Sequence, residues 1–354
     1  MTERVTGALA LASWRRVVGS TLPILAALVL LAATAGCSAK DAVTTTPEAA
    51  AAITFSETAP VRSGLMSPME DWHHLRQVLG YLRENRPRRP VVYLFGGSSA
   101  RECTINDLSW RRQIVEFGGP RVWAFNLGSS NQSFDHEIEM VRLLPDVPTI
   151  VLIGINLGRY CWKPPTQAAI DKMVLKDEGS VIKPYAQHRF VYNHIAADYR
   201  KREIAYKWLD ERAPEFNANF SYNAGRLAAL VSLCKQRGFH PVILNMPWNK
   251  AVVGHLLDAY RNRMTRNAMN VAAKYEAPYR DWIPTMNLVS RDFVDNAHLV
   301  EPGRVKFQRR LSLLVVRLLD RYGITTVPPL TSSPSPSSSP SPASSASSSS
   351  PSAP

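Results

Sequence analysis

Four short apolar runs constrain this chain more than any other feature. Val91 to Phe95 reads VVYLF, Val122 to Asn126 VWAFN, Thr149 to Ile155 TIVLIGI and Pro241 to Asn245 PVILN. Continuous runs of this kind predict strands covered on both faces, as in a parallel sheet packed between helices. Helical spacing fills the gaps. Met69 to Arg83 places Trp72, Leu75, Val78, Leu79 and Leu82 at that spacing, and Ser133 to Leu144 and His255 to Tyr275 also read as helices. Tyr222 to Arg237 predicts another, capped by Gly238, and the stripe from Phe307 to Tyr322 predicts a last helix stopped by Gly323. Alternation of this sort predicts an α/β fold, a three-layer α/β/α sandwich with a mainly parallel sheet.

One stretch breaks the alternation. Arg159 to Phe220 is polar and aromatic, with Trp162, Tyr185, Tyr192, Tyr199 and Trp208. It reads as an inserted helical region after the third strand, a lid or substrate wall over the carboxyl ends where open α/β sheets bind ligands.

The ends are unlike a folded domain. Arg4, Arg15 and Arg16 precede an uncharged run from Val17 to Gly36, a pattern that keeps the N-terminus inside and sends the rest of the chain across the membrane. Thr34-Ala35-Gly36 before Cys37 is similar to a bacterial lipobox, in which the cysteine is lipidated; the alternative is an uncleaved membrane helix. Either reading predicts an extracytoplasmic protein held at the membrane by its N-terminal segment. The organisation expected is a signal or anchor over 1–37, a linker over 38–69, the α/β domain over 70–325 with its insertion at about 159–220, and a disordered Ser/Pro-rich tail over 326–354.

The formal net charge is +13, from 42 Lys+Arg against 29 Asp+Glu. The basic residues fall in short clusters such as Arg86 to Arg89, without zinc-knuckle spacing or an aromatic-basic motif, so no nucleic acid partner is expected. No cysteine pair has metal spacing, and no metal or cofactor is expected. Cys103 and Cys161 lie just past the first and third runs; they form a disulfide or two separate buried thiols. Cys234 falls in a helix core. His73, His74 and His136 are expected on helix surfaces. Arg101 and Glu102 pair to brace the turn before them, or meet substrate.

The chemistry sits where the runs stop. Gly96-Gly97-Ser98-Ser99 follows the first, Asn126-Leu127-Gly128-Ser129-Ser130-Asn131 the second and Gly154-Ile155-Asn156 the third; Asp295-Asn296-Ala297-His298 precedes the last helix. A parallel sheet gathers these segments at one edge. A serine hydroxyl needs a base to become a nucleophile. His298 can take that proton, and Asp295 can fix its tautomer. The amides of Ser98 and Gly128 and the side chain of Asn156 can face a developing oxyanion. Ser99 is the alternative nucleophile.

These four blocks, in this order, resemble the SGNH hydrolases, GDSL-like esterases and acyltransferases, over roughly Val91 to Tyr322. The resemblance departs at Gly97, where the family has Asp, and at Leu157, where Asp is common. It implies a flavodoxin-like sheet, a catalytic set of Ser98, Asp295 and His298, and an oxyanion hole from Ser98, Gly128 and Asn156. Together with the expected location, it further implies an ester-linked acyl substrate, acetyl on an envelope carbohydrate or a small ester. A catalytically inactive envelope-binding protein on the same fold is the alternative.

Overall fold

The computed structural model describes residues 68–176 and 195–324, which fall in one compact unit, Glu48–Pro354. The export segment with Cys37, the linker up to residue 67, residues 177–194 of the insertion and the tail from 325 lie outside the described residues.

Five strands form one parallel sheet in the order β2-β1-β3-β4-β5. They are β1 Val91–Phe95, β2 Trp123–Asn126, β3 Thr149–Ile155, β4 His240–Asn245 and β5 Tyr279–Asp281. The first four are the apolar runs. The fifth has no such run: its three residues are half-buried and pair on one side only, with β4. An edge strand needs no continuous apolar surface, so periodicity alone did not reveal it.

The strands alternate their side chains between two core layers, as the pleat requires. Val91, Tyr93 and Phe95 face one layer, which also holds Trp72, Phe134, Phe216 and Met264. These come from α1 Pro68–Glu84, α4 Phe134–Leu143, α7 Ala213–Gln236 and α9 Asp258–Lys274. Val92 and Leu94 face the other layer, with Trp110, Phe307 and Leu311 from α3 Asp107–Glu116 and α10 Glu301–Arg321. The remaining helices are short: α2 Ser98–Arg101, α5 Gln167–Val174, α6 Asp198–Lys207 and α8 Lys250–Val253. The expected three-layer α/β sandwich is what the structure has.

α7 begins at Ala213 rather than Tyr222 and so absorbs the end of the expected insertion. It ends as its glycine foretells. Gly238 has φ +69°, its N–H donates to Lys235 O at 2.9 Å, and the Phe239 N–H donates to Cys234 O at 2.8 Å. That pattern closes the last turn of a helix with a left-handed residue.

Of the two alternatives for Cys103 and Cys161, the disulfide is excluded: they are not bonded to each other, because they belong to core layers on opposite faces of the sheet. Cys161 is a thiol whose Sγ lies 3.4 Å from Leu157 O. His74 and His136 are buried, not on the surface. His74 Nε2 lies 3.3 Å from Asp107 Oδ2, and His136 Nδ1 accepts the Ser133 N–H at 3.1 Å in a capping box at the start of α4.

Candidate active site

β1 stops at Phe95, and the chain turns at Gly96 with φ +148°, a value that L side chains rarely adopt. A Cβ at this position would lie 2.6 Å from Ala100 Cβ and 3.2 Å from Gly154 O. The turn delivers Ser98 as the first residue of α2, half-buried at the carboxyl edge of the sheet. β2 flanks β1 on one side and β3 on the other, so Ser98 stands where the winding of the sheet reverses. Open α/β sheets bind ligands at that point. Gly97 leaves room: a Cβ there would meet only Arg159 Cγ, at 4.0 Å.

His298 arrives from the loop before α10. Its Nε2 lies 2.8 Å from Ser98 Oγ, and its Nδ1 lies 2.6 Å from Asp295 Oδ2. With Nδ1–H donating to the carboxylate, Nε2 is left to accept the hydroxyl proton. Asp295 Oδ1 accepts the backbone N–H of Ala297 and of His298, each at 2.8 Å. Burial raises the Asp295 carboxyl, but the electrostatic pull of His298 and these hydrogen bonds outweigh it and hold the group below the usual carboxylate range. It therefore stays ionised beside the imidazole.

The loop is pinned on both sides. Phe293 and Leu299 pair as an antiparallel bridge, and the Val294 N–H donates to His298 O at 3.0 Å. Asn249, buried at 1% exposure, donates its backbone N–H to Asn296 O at 2.9 Å and its side-chain amide to Asp295 O at 3.3 Å. Nothing in the sequence near Asn249 signalled this role.

The structure separates the two candidate serines. Ser99 is buried, and its Oγ accepts from Asn156 Nδ2 at 2.9 Å. Only Ser98 meets His298. Asn156 follows β3, lines the cavity and fixes its own orientation by accepting the Arg159 N–H at 3.1 Å.

Gly128 does not take the expected place. Its amide donates to Asn126 Oδ1 at 3.0 Å, and the residue is not on the cavity wall. A Cβ at 128 would lie 2.6 Å from the Arg101 amide, so this glycine serves the close approach of the β2 turn to α2. Three residues on, the same loop puts Asn131 on the wall with φ +59°. Asparagine is among the few residues that accept such a turn. An Asn ending a Gly-Ser-Ser run after a strand was the signal available.

Arg101 and Glu102 brace the turn rather than meet substrate. Arg101 contacts Asp71 of α1 at 2.5 Å and Glu102 at 2.7 Å, and Glu102 contacts Arg304 of α10 at 2.7 Å. All four side chains are at most 3% exposed. The Arg304 Nε also donates to Glu102 O at 3.0 Å. The network thus ties the helix carrying Ser98 to the helix that follows His298.

The insertion builds a wall of the cavity in front of Ser98. Trp162, Trp208 and Arg212 come from it, and Trp248 and Arg261 complete that side. Trp208 and Arg212 bound a five-residue π turn between α6 and α7. Such turns are rare and concentrate at functional sites.

No family model matches the chain, and no curated protein matches it. Solved structures do. A lipolytic G-D-S-L family protein from Veillonella parvula is 12% identical, over 64% of this chain and 97% of that chain, with a TM-score of 0.38. A GDSL-like lipase from Bacteroides thetaiotaomicron is 11% identical, over 72% and 100%, with a TM-score of 0.37. A catalytic mutant of an acetylxylan esterase from Geobacillus stearothermophilus is 11% identical, over 64% and 93%, with a TM-score of 0.38. The chain is similar to these G-D-S-L-type and esterase structures, while its catalytic reading rests on the geometry of Ser98, His298 and Asp295.

Proposed function

We propose that the chain is a serine esterase or O-acyltransferase that works through an acyl-enzyme on Ser98. The observation that carries this is the continuous relay from Ser98 Oγ to His298 Nε2 at 2.8 Å and from His298 Nδ1 to Asp295 at 2.6 Å. As Ser98 Oγ bonds to the acyl carbon, its proton passes to Nε2. The carbonyl oxygen takes up the charge, facing the Ser98 amide, Asn156 Nδ2 and the amide of Asn131. Collapse expels the alcohol, which leaves with the proton from Nε2. Water or a sugar hydroxyl then gives its proton to Nε2, attacks the acyl carbon and releases Ser98.

The acyl group we assign is acetyl, on a carbohydrate of the cell envelope. Trp208, half-buried on the cavity wall, offers an apolar ring that suits a sugar. The location proposed is outside the cytoplasm and at the membrane. It is supported by Arg15 and Arg16 before the apolar run and by the lipobox-like end at Cys37.

The test is turnover of p-nitrophenyl acetate by the full chain. Ser98→Ala is expected to lower kcat by about 10⁴-fold or more, and Ser99→Ala far less. Equal rates in the wild type and both variants would remove the nucleophile assignment.

A further inference from the structure

The cavity has a charge pattern that acyl transfer through Ser98 does not require. Among the described residues its wall carries Arg159, Arg212 and Arg261 and no aspartate or glutamate. Arg159 is already committed. It is 1% exposed, contacts Glu137 at 2.8 Å and donates to Gly154 O at 2.7 Å.

The other two are presented differently. The Arg212 guanidinium lies over the Trp162 ring at 4.7 Å, and the Arg261 guanidinium over the Trp248 ring at 3.7 Å. Both tryptophans line the cavity as well. Stacking on an indole uses the flat face of a guanidinium and leaves its N–H edge to bind planar oxyanions. It also restrains a long side chain in advance, which reduces the entropy cost of binding. Arg212 contacts the Glu215 carboxylate. Arg261 has Asp258 at 3.9 Å, beyond hydrogen-bond distance. Burial pushes the Arg261 guanidinium below its ordinary value, with the nearby Asp281 and Asp258 opposing. The net charge of +13 over the whole chain favours approach of an anion.

We propose that Arg261, assisted by Arg212, binds an anionic group on the substrate, so that the ester is carried by a negatively charged carbohydrate. The shared chemistry is an oxyanion able to accept two parallel N–H bonds, and a uronate carboxylate or a sugar phosphate can supply it. This rests on the ester chemistry proposed above.

The experiment compares four acetyl esters with the full chain. They are p-nitrophenyl acetate, O-acetylated methyl glucoside, O-acetylated methyl glucuronoside and O-acetylated methyl glucoside 6-phosphate. The expected result is a kcat/KM about tenfold or more higher for one charged sugar ester than for the neutral one, expressed mainly in KM. The favoured ester tells carboxylate from phosphate. Arg261→Gln is expected to abolish that ratio and Arg261→Lys to reduce it. Arg266→Gln, exposed on the same helix, is expected to preserve it. Turnover of the neutral esters with equal kcat/KM for charged ones overturns this inference alone. Failure of the wild type on all four overturns the ester chemistry on which it rests.

Discussion

The two sides of the cavity are built by different physics. The side that holds Ser98, His298 and Asp295 is fixed by short hydrogen bonds and buried charge. Gly96 sets the turn, Glu102 and Arg304 lock the helix behind it, and two backbone amides hold Asp295. The far wall is held by ring contacts. Trp208 sits 5.2 Å from Tyr260 and 6.2 Å from Phe216, and Arg212 and Arg261 lie on indoles. The first kind of construction tolerates little displacement and suits the proton transfer proposed for it. The second presents broad surfaces and suits the recognition proposed for it, where a changed residue would alter affinity before it alters chemistry.

The contrast can be broken from either side. Outside Ser98, His298 and Asp295 themselves, the largest effect is expected at Glu102, which faces two buried guanidinium groups. Glu102→Gln removes the buried charge that faces Arg101 and Arg304 and is expected to cost about 3 kcal/mol of stability, seen as a lower denaturation midpoint. Loss of kcat should accompany it, because the network joins the Ser98 and His298 helices. On the wall, Trp208→Ala is expected to lower kcat/KM for an acetylated sugar by about tenfold through KM, with kcat little changed. A loss of kcat instead would mean that the wall helps to position the reacting groups.

The smallest effect concerns pH. His136 lies behind the Asn131 loop, and burial pushes it down to about 4, with Arg159 adding and Asp135 opposing. Its Nδ1 must stay an acceptor for the Ser133 N–H. A group with a depressed folded value binds fewer protons when folded. Stability is therefore lost as pH falls from about 6.5, the unfolded value, towards about 4. The contribution is at most about 1.4 kcal/mol per pH unit. Glu137 next to it is raised to about 7 by burial, despite Arg159, and acts with the opposite sign. The measurement is accordingly the difference in pH slope between the wild type and His136→Gln. Identical slopes would show that His136 does not contribute to the pH dependence.

How much of this was legible in the sequence also divides along the same line. The first four strands and the cluster of Ser98, His298 and Asp295 were readable because their signals are local: an unbroken apolar run, or an Asp three residues before a His. β5 was not, since an edge strand with Arg280 and Asp281 in it carries no apolar period. Gly128 was misassigned because a glycine needed for close packing looks the same in sequence as one that frees an amide. Whether Arg101 and Glu102 brace or bind depended on Asp71 and Arg304, distant in the chain. The Arg261–Trp248 stack joins α9 to the segment after β4, and no spacing rule links those positions.

The most direct test of the central claim is covalent capture of the nucleophile. The full chain is treated with an alkyl fluorophosphonate, and the modified residue is located by peptide mass spectrometry. A single adduct on Ser98, absent from Ser98→Ala and strongly reduced in His298→Ala, is the result predicted. An adduct on Ser99, or labelling of Ser98 that is indifferent to His298, would contradict it.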